Sequence, residues 1–192
     1  MKRSRKLLVF FAVFALIIAA CGSDDGDDGD DGGEAGLIIG VSWNNYNEER
    51  WALWDEPAIK AAIEAGGGEY ISTDAGSSED QQISDVENLI TQGADAVIIL
   101  AQDGTTIKPA VTAALDAGVP VIAYDRLIED EGAFYITFDN VEVGRMQARA
   151  ILEAMPTGNY IMIKGNAADA NADFLRGGQQ EVLQDAIDAG DI

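Results

Sequence analysis

The sequence predicts an α/β fold built on a parallel sheet flanked by helices, and three observations predict it. Apolar runs of strand length alternate with longer runs of helical period. One run, "AVIILA" (96–101), has no polar position, the mark of a strand covered on both faces. Polar or charged residues follow several runs directly. That is the end of a parallel sheet where ligands sit.

The elements follow in order. "LIIGVSW" (37–43) is a strand. "NEERWALWDEPAIKAAIEAGG" is a helix with Trp51, Leu53, Trp54, Ile59 and Ile63 in a broadly helical pattern and a glycine stop. Pro57 falls inside it, which calls for a kink or a late helix start. Trp43 and Trp54 are assigned to packing. "EYISTDA" (69–75) is the second strand, and Ser78 with acids after it caps the helix carrying Ile83, Val86, Leu89 and Ile90. After "AVIILA" come the helix "TTIKPAVTAALDAG" and the strand "VPVIAY". "FYITF" (134–138) is a strand, "VEVGRMQARAILEAM" a helix, "NYIMIKG" (159–165) a sixth strand and "ANADFLRGGQQEVLQDAIDAG" a last helix. Gly66-Gly67-Gly68 ends a helix instead of following a strand, so it is not a dinucleotide loop.

Asp125 and Arg126 stand at the end of the fourth strand, Asp139 and Asn140 at the end of the fifth, and Asn166 to Asn171 after the sixth. On pattern alone these are ligand contacts or solvated turns, and both readings stay open.

From Leu37 onward there are eight basic and 27 acidic residues, a net charge of −19. A surface that negative repels phosphate backbones and argues against nucleic acid as a partner. The chain has no His, which removes the commonest general base and metal ligand, and one Cys, which excludes an intrachain disulfide. No metal site and no cofactor are expected.

Lys2, Arg3, Arg5 and Lys6 precede an unbroken apolar run from Leu7 to Ala20. Its length suits a signal peptide (1–20) and is short for a membrane span. "IIAACGS" resembles a bacterial lipobox, with Ile18 where leucine is more usual. The resemblance implies cleavage before Cys21 and lipid attachment to its sulfur; a plain secretory signal is the alternative. "GSDDGDDGDDGGEAG" (22–36) cannot bury apolar surface and reads as an extended tether from the lipidated Cys. Its glycines break the calcium-loop spacing.

"GADAVIIL", "AGVPVIAYDRLI", "FYITFDNVEVGRMQA" and "GNYIMIKGNAADANADFLRGGQQEVL" together resemble the periplasmic sugar-binding proteins of ABC importers, in the pentose and hexose branch, across residues 37–192. The order of "EERW", "YDR" and "DAN" carries the specificity. The resemblance implies a two-lobe type I periplasmic-binding-protein fold: 37–138 the first pass through the N-terminal lobe, 139–192 the start of a second lobe that is incomplete. Another strand is due after Ala189-Gly190, so the chain reads as a fragment. The resemblance further implies that Arg50, Trp51, Asp125, Arg126, Asp169 and Asn171 bind a monosaccharide, D-xylose favoured. Carboxylates accept from sugar hydroxyls, guanidinium donates in a fork, amides do both, and an aromatic face covers the ring. Asp125 and Arg126 are expected to pair and keep each other charged. Arg50 has a second reading as a surface helix residue, Trp51 as core packing, and Asp169 and Asn171 as helix caps. Asn44 and Asn45 stay unassigned.

The implied protein is a monomeric extracytoplasmic receptor held to the cell membrane by lipid, delivering sugar to ABC permease subunits, and not an enzyme. A glycosidase using Asp125 and Asp169 is the main alternative. It is disfavoured because a neighbouring guanidinium favours the carboxylate over the acid. A repressor of the same fold needs a DNA-binding headpiece where the signal segment stands. A chemotaxis or sensor-kinase co-receptor is indistinguishable from a transport receptor at this level.

Overall fold

The computed structural model describes residues 36–192. The residues expected to form the signal segment, the lipidated Cys21 and the tether, up to residue 35, lie outside the described residues. Five strands form one parallel sheet: β1 (Ile38–Trp43), β2 (Glu69–Asp74), β3 (Ala96–Ile99), β4 (Val121–Tyr124) and β5 (Ala133–Ile136), in the order β2-β1-β3-β4-β5. Five α-helices accompany it: α1 (Glu56–Ala65), α2 (Glu79–Thr91), α3 (Lys108–Asp116), α4 (Asn140–Ala154) and α5 (Ala170–Ala189).

The period-2 alternation of the strands sorts side chains onto two cores. Val97, Ile99, Val121 and Ala123 pack with Val86 and Leu89 of α2 and Val111 and Ala114 of α3. Val41, Trp43 and Leu100 pack on the opposite face with Trp51 and, from α1, Ile59 and Ile63. Full burial of such side chains contributes about 1.5–3 kcal/mol each. The expected helices on both faces of the sheet are present.

Several local expectations hold. The Ser78 side chain accepts from the Gln81 backbone N–H, 3.2 Å, and caps α2. Gly66 closes α1, and Gly67 follows with φ 79°. Pro57 marks the late start of α1, but the chain before it is also helical: Trp51–Asp55 form a π turn. Proline has no N–H for the carbonyl four residues back. The ladder instead widens, and the Glu56 N–H reaches the Trp51 carbonyl five residues back. Trp54 then points outward, 72% exposed, against its assignment to packing, whereas Trp43 is fully buried.

The sixth strand is not formed. Residues 159–165 are irregular, and among the described residues no strand pairs with them. Ile161 is 89% and Ile163 92% exposed. An apolar run records burial; a strand also needs a neighbour for its backbone groups, and α4 and α5 offer none. These two helices pack chiefly on each other. Their axes come close where glycines face backbone: a Cβ on Gly144 would lie 2.1 Å from the Leu175 carbonyl oxygen, and one on Gly178 2.0 Å from that of Val141.

Candidate functional site

The carboxyl ends of β1, β4 and β5 meet the amino end of α5, and the polar residues gather there. β4 ends at Tyr124, and Asp125 turns the chain with φ 63°, a left-handed conformation that Asp tolerates better than most residues. Its N–H donates to the Ile136 carbonyl of β5, 2.9 Å, so the turn is tied to the sheet. The residue is only 8% exposed, and a buried carboxylate needs partners.

Arg50 supplies the first. It precedes the π turn, and its Nη1 donates to Asp125 Oδ2 at 2.9 Å while its Nε meets Asp55 Oδ2 at 3.0 Å. Burial alone would lower the Arg50 pKa, but the Asp125 and Asp55 charges outweigh it and hold it above its ordinary value. Its guanidinium lies 4.4 Å from the Trp51 ring centre and 5.6 Å from that of Phe138. Asn171 supplies the second: its Nδ2 donates to the Asp125 carbonyl, 3.1 Å, and to Oδ1, 3.3 Å. The Asn171 Oδ1 accepts from Asn140 Nδ2 at 2.9 Å and from the Tyr135 hydroxyl at 3.3 Å.

Arg126 is held separately. Its Nε lies 3.5 Å from Asp169 Oδ2, its Nη2 3.9 Å from Glu48 Oε1, and its Nη1 donates to the Ala101 carbonyl at 3.3 Å. Asp169 is also the N-cap of α5, accepting from the Asn171 N–H at 2.9 Å, so it caps and pairs at once. Lys164, Gly165, Asp169, Asn171 and Arg176 line a cavity of about 250 Å³ beside this point.

All six sequence-expected site residues therefore lie in one neighbourhood, with two corrections to their roles. Asp125 and Arg126 do not pair with each other. Neighbours at a strand end project to opposite sides, so Asp125 meets Arg50 and Arg126 meets Asp169. Trp51 is not an open stacking face: it is 5% exposed, packed with Trp43 and Leu100, its Nε1–H donating to Glu48 Oε2 at 3.0 Å. The exposed aromatic beside Arg50 is Phe138, 64% exposed. Phe138, Asp55 and Tyr135 were missed. Their signal was positional: Phe138 follows a strand, and Asp55 lies five residues beyond Arg50, a spacing that matters only once the π turn is known. Asn44 and Asn45 are buried and shape the loop after β1, Asn44 Oδ1 accepting from the Asn45 N–H and Asn45 Oδ1 from the Asn47 N–H, both 2.8 Å. Among the described residues, no three His, Cys, Asp or Glu side chains are grouped so as to hold a metal ion.

Residues 39–192 match the family model described as periplasmic binding protein domain. The D-xylose-binding periplasmic protein of Escherichia coli is 36% identical over 155 residues, covering 80% of this chain and 47% of that protein. A multiple sugar-binding periplasmic receptor of Rhizobium radiobacter is 35% identical over 80% of this chain and 46% of its own length. Among solved structures, a carbohydrate transporter solute binding protein from Chloroflexus aurantiacus in complex with D-glucose superposes with a TM-score of 0.73 at 34% identity, over 81% of this chain and 46% of that one. The chain spans about half the length of the curated relatives it matches.

Proposed function

This chain belongs to the periplasmic binding protein domain family, and from that membership we propose that it forms the first part of an extracytoplasmic monosaccharide receptor for an ABC importer. One observation carries the reading. Segments far apart in sequence bring the Arg50 guanidinium and the Asn171 amide onto the same buried Asp125, at 2.9 and 3.1 Å. Vicinal sugar hydroxyls are donors and acceptors at once, and such an array of carboxylate, fork and amide matches them. Arg126 with Asp169 adds a second set, and Phe138 offers an apolar face to a ring.

Binding in this reading is an exchange. The polar groups now satisfy one another, and a sugar takes over some of those bonds while the cleft around it loses water. Residues 37–138 form one wall and residues from 139 begin the other; the close α4–α5 pairing, with little sheet contact, supports that division. D-xylose is the favoured ligand, supported by the Escherichia coli relative, with D-glucose next. Cys21 carries the lipid that holds the receptor at the membrane, and the receptor works as a monomer with permease subunits as partners.

Calorimetry of the full-length protein against D-xylose, D-glucose, L-arabinose, D-ribose and D-galactose is the test. Saturable binding of one is expected, and no heat with any of them would sink the receptor reading. The glycosidase alternative is disfavoured because the Asp125 and Asp169 carboxylates are each ion-paired to an arginine. Steady release of aryl alcohol from an aryl-xyloside would reverse that preference.

A further inference from the structure

We infer that Asp55 is a positioning residue of this site: with Tyr124 behind it, it sets the direction in which Arg50 presents its guanidinium. The inference rests on the receptor reading above and deepens it. Asp55 is nearly closed off, its side chain 12% exposed, so it acts through its partners and not by touching sugar. The same Oδ2 that meets Arg50 Nε at 3.0 Å accepts the Tyr124 hydroxyl at 2.9 Å. Tyr124 is the last residue of β4 and Asp125 the next in the chain, and Asp125 takes the other edge of the same guanidinium. Arg50, Asp55, Tyr124 and Asp125 thus close a ring that fastens the segment before α1 to the end of a central strand.

The π turn makes the ring possible. At 3.6 residues per turn, side chains five apart are roughly 140° out of phase and cannot share a partner. A turn closed five residues back brings such a pair onto one side, and turns of this kind are rare and concentrated at functional sites. Pro57, by removing the donor that would close an ordinary turn, favours the wider one. A guanidinium oriented in advance does not have to be ordered when sugar arrives. Losing that orientation lowers affinity roughly five- to tenfold.

A double-mutant cycle on the full-length protein tests this, read by calorimetry with whichever monosaccharide the wild type binds tightest. Asp55→Asn is expected to weaken binding roughly five- to tenfold, Arg50→Ala to weaken it more, and the double variant to be no worse than Arg50→Ala alone. Additive losses, or an unchanged affinity for Asp55→Asn beside a weakened Arg50→Ala, overturn the inference. An unchanged Arg50→Ala instead overturns the assignment of the site, and the inference with it. Should Asp55→Asn fail to fold, Tyr124→Phe decides: a roughly twofold to threefold loss that vanishes in the Arg50→Ala background supports the inference, and no loss overturns it.

Discussion

In the sheet body, residues 38–136, β3 and β4 bury Val97, Ile99, Val121 and Ala123 completely or nearly so, under α2 and α3. In residues 140–192, the two longest helices bury only Gly144, Ala148, Asn171, Ala172, Gly178 and Leu183, and the segment between them leaves Ile161 and Ile163 almost fully exposed. One region is held by apolar area, which is costly to separate. The other meets it at the site through the Asn171 amide, which donates to Asp125 and accepts from the Tyr135 hydroxyl, and the Arg126–Asp169 pair. Polar contacts exchange for water or ligand at a net cost near 1 kcal/mol each. On the receptor reading, the body therefore gives the candidate site its fixed wall, and the helix pair a wall whose contacts are interchangeable.

The largest expected effect breaks the body. Leu89→Ala should cost about 2–5 kcal/mol in urea denaturation, while Ile163→Ala should stay within about 0.5 kcal/mol; equal costs would erase the contrast between the regions. Next, Gly178→Ala sets a methyl against the Val141 carbonyl and should cost about 1–3 kcal/mol. Hydrogen exchange should quicken in α4 and α5 and stay slow in β3 and β4. Arg126→Ala strips Asp169 of its cation and should lower sugar affinity at least about tenfold; an unchanged dissociation constant would make Arg126 a solvated loop residue. Removing caps sharpens the division further. Ser78→Ala and Asp169→Ala should each cost about 1 kcal/mol of stability, but only Asp169→Ala should also weaken binding. The smallest effect is acid sensitivity. Arg149 and then Arg145 hydrogen-bond Glu142 and hold its carboxyl below the ordinary range. A depressed carboxyl contributes fully above its unfolded pKa and loses that contribution as pH falls through the folded one. The α4–α5 region should loosen below about pH 4, and Glu142→Gln should flatten that dependence in a pH series of melting curves.

The fold was legible where side-chain period and backbone pairing agree. "AVIILA" and "VPVIAY" are strands because a short apolar run there coincides with neighbours on both sides. "NYIMIKG" has a similar apolar run without a partner, and a one-dimensional pattern does not record partners. The gathering of Asp125 and Arg126 was legible from their place just past the end of a strand; that of Asp169 and Asn171 rested on the resemblance, since the segment before them pairs with no strand. Who pairs with whom was not legible, since adjacency along a strand is opposition in space. Trp51 is buried and Trp54 exposed, against the expected sugar face for the one and packing for the other; both lie in the π turn, whose wider closure sets side chains in a different phase from a regular helix.

The left-handed backbone at Asp125 bears on how receptors of this kind are retuned toward other ligands. Few side chains tolerate that conformation, chiefly Gly, Asn and Asp. Position 125 therefore offers a library almost no alphabet: Asn keeps the turn and removes the charge, Gly keeps the turn and removes the side chain. On the proposed receptor function, either is expected to give a folded protein that no longer binds sugar, a matched blank for a binding sensor. Position 126, one step along and free of that restriction, is on the same reading the place to randomise in search of a new specificity.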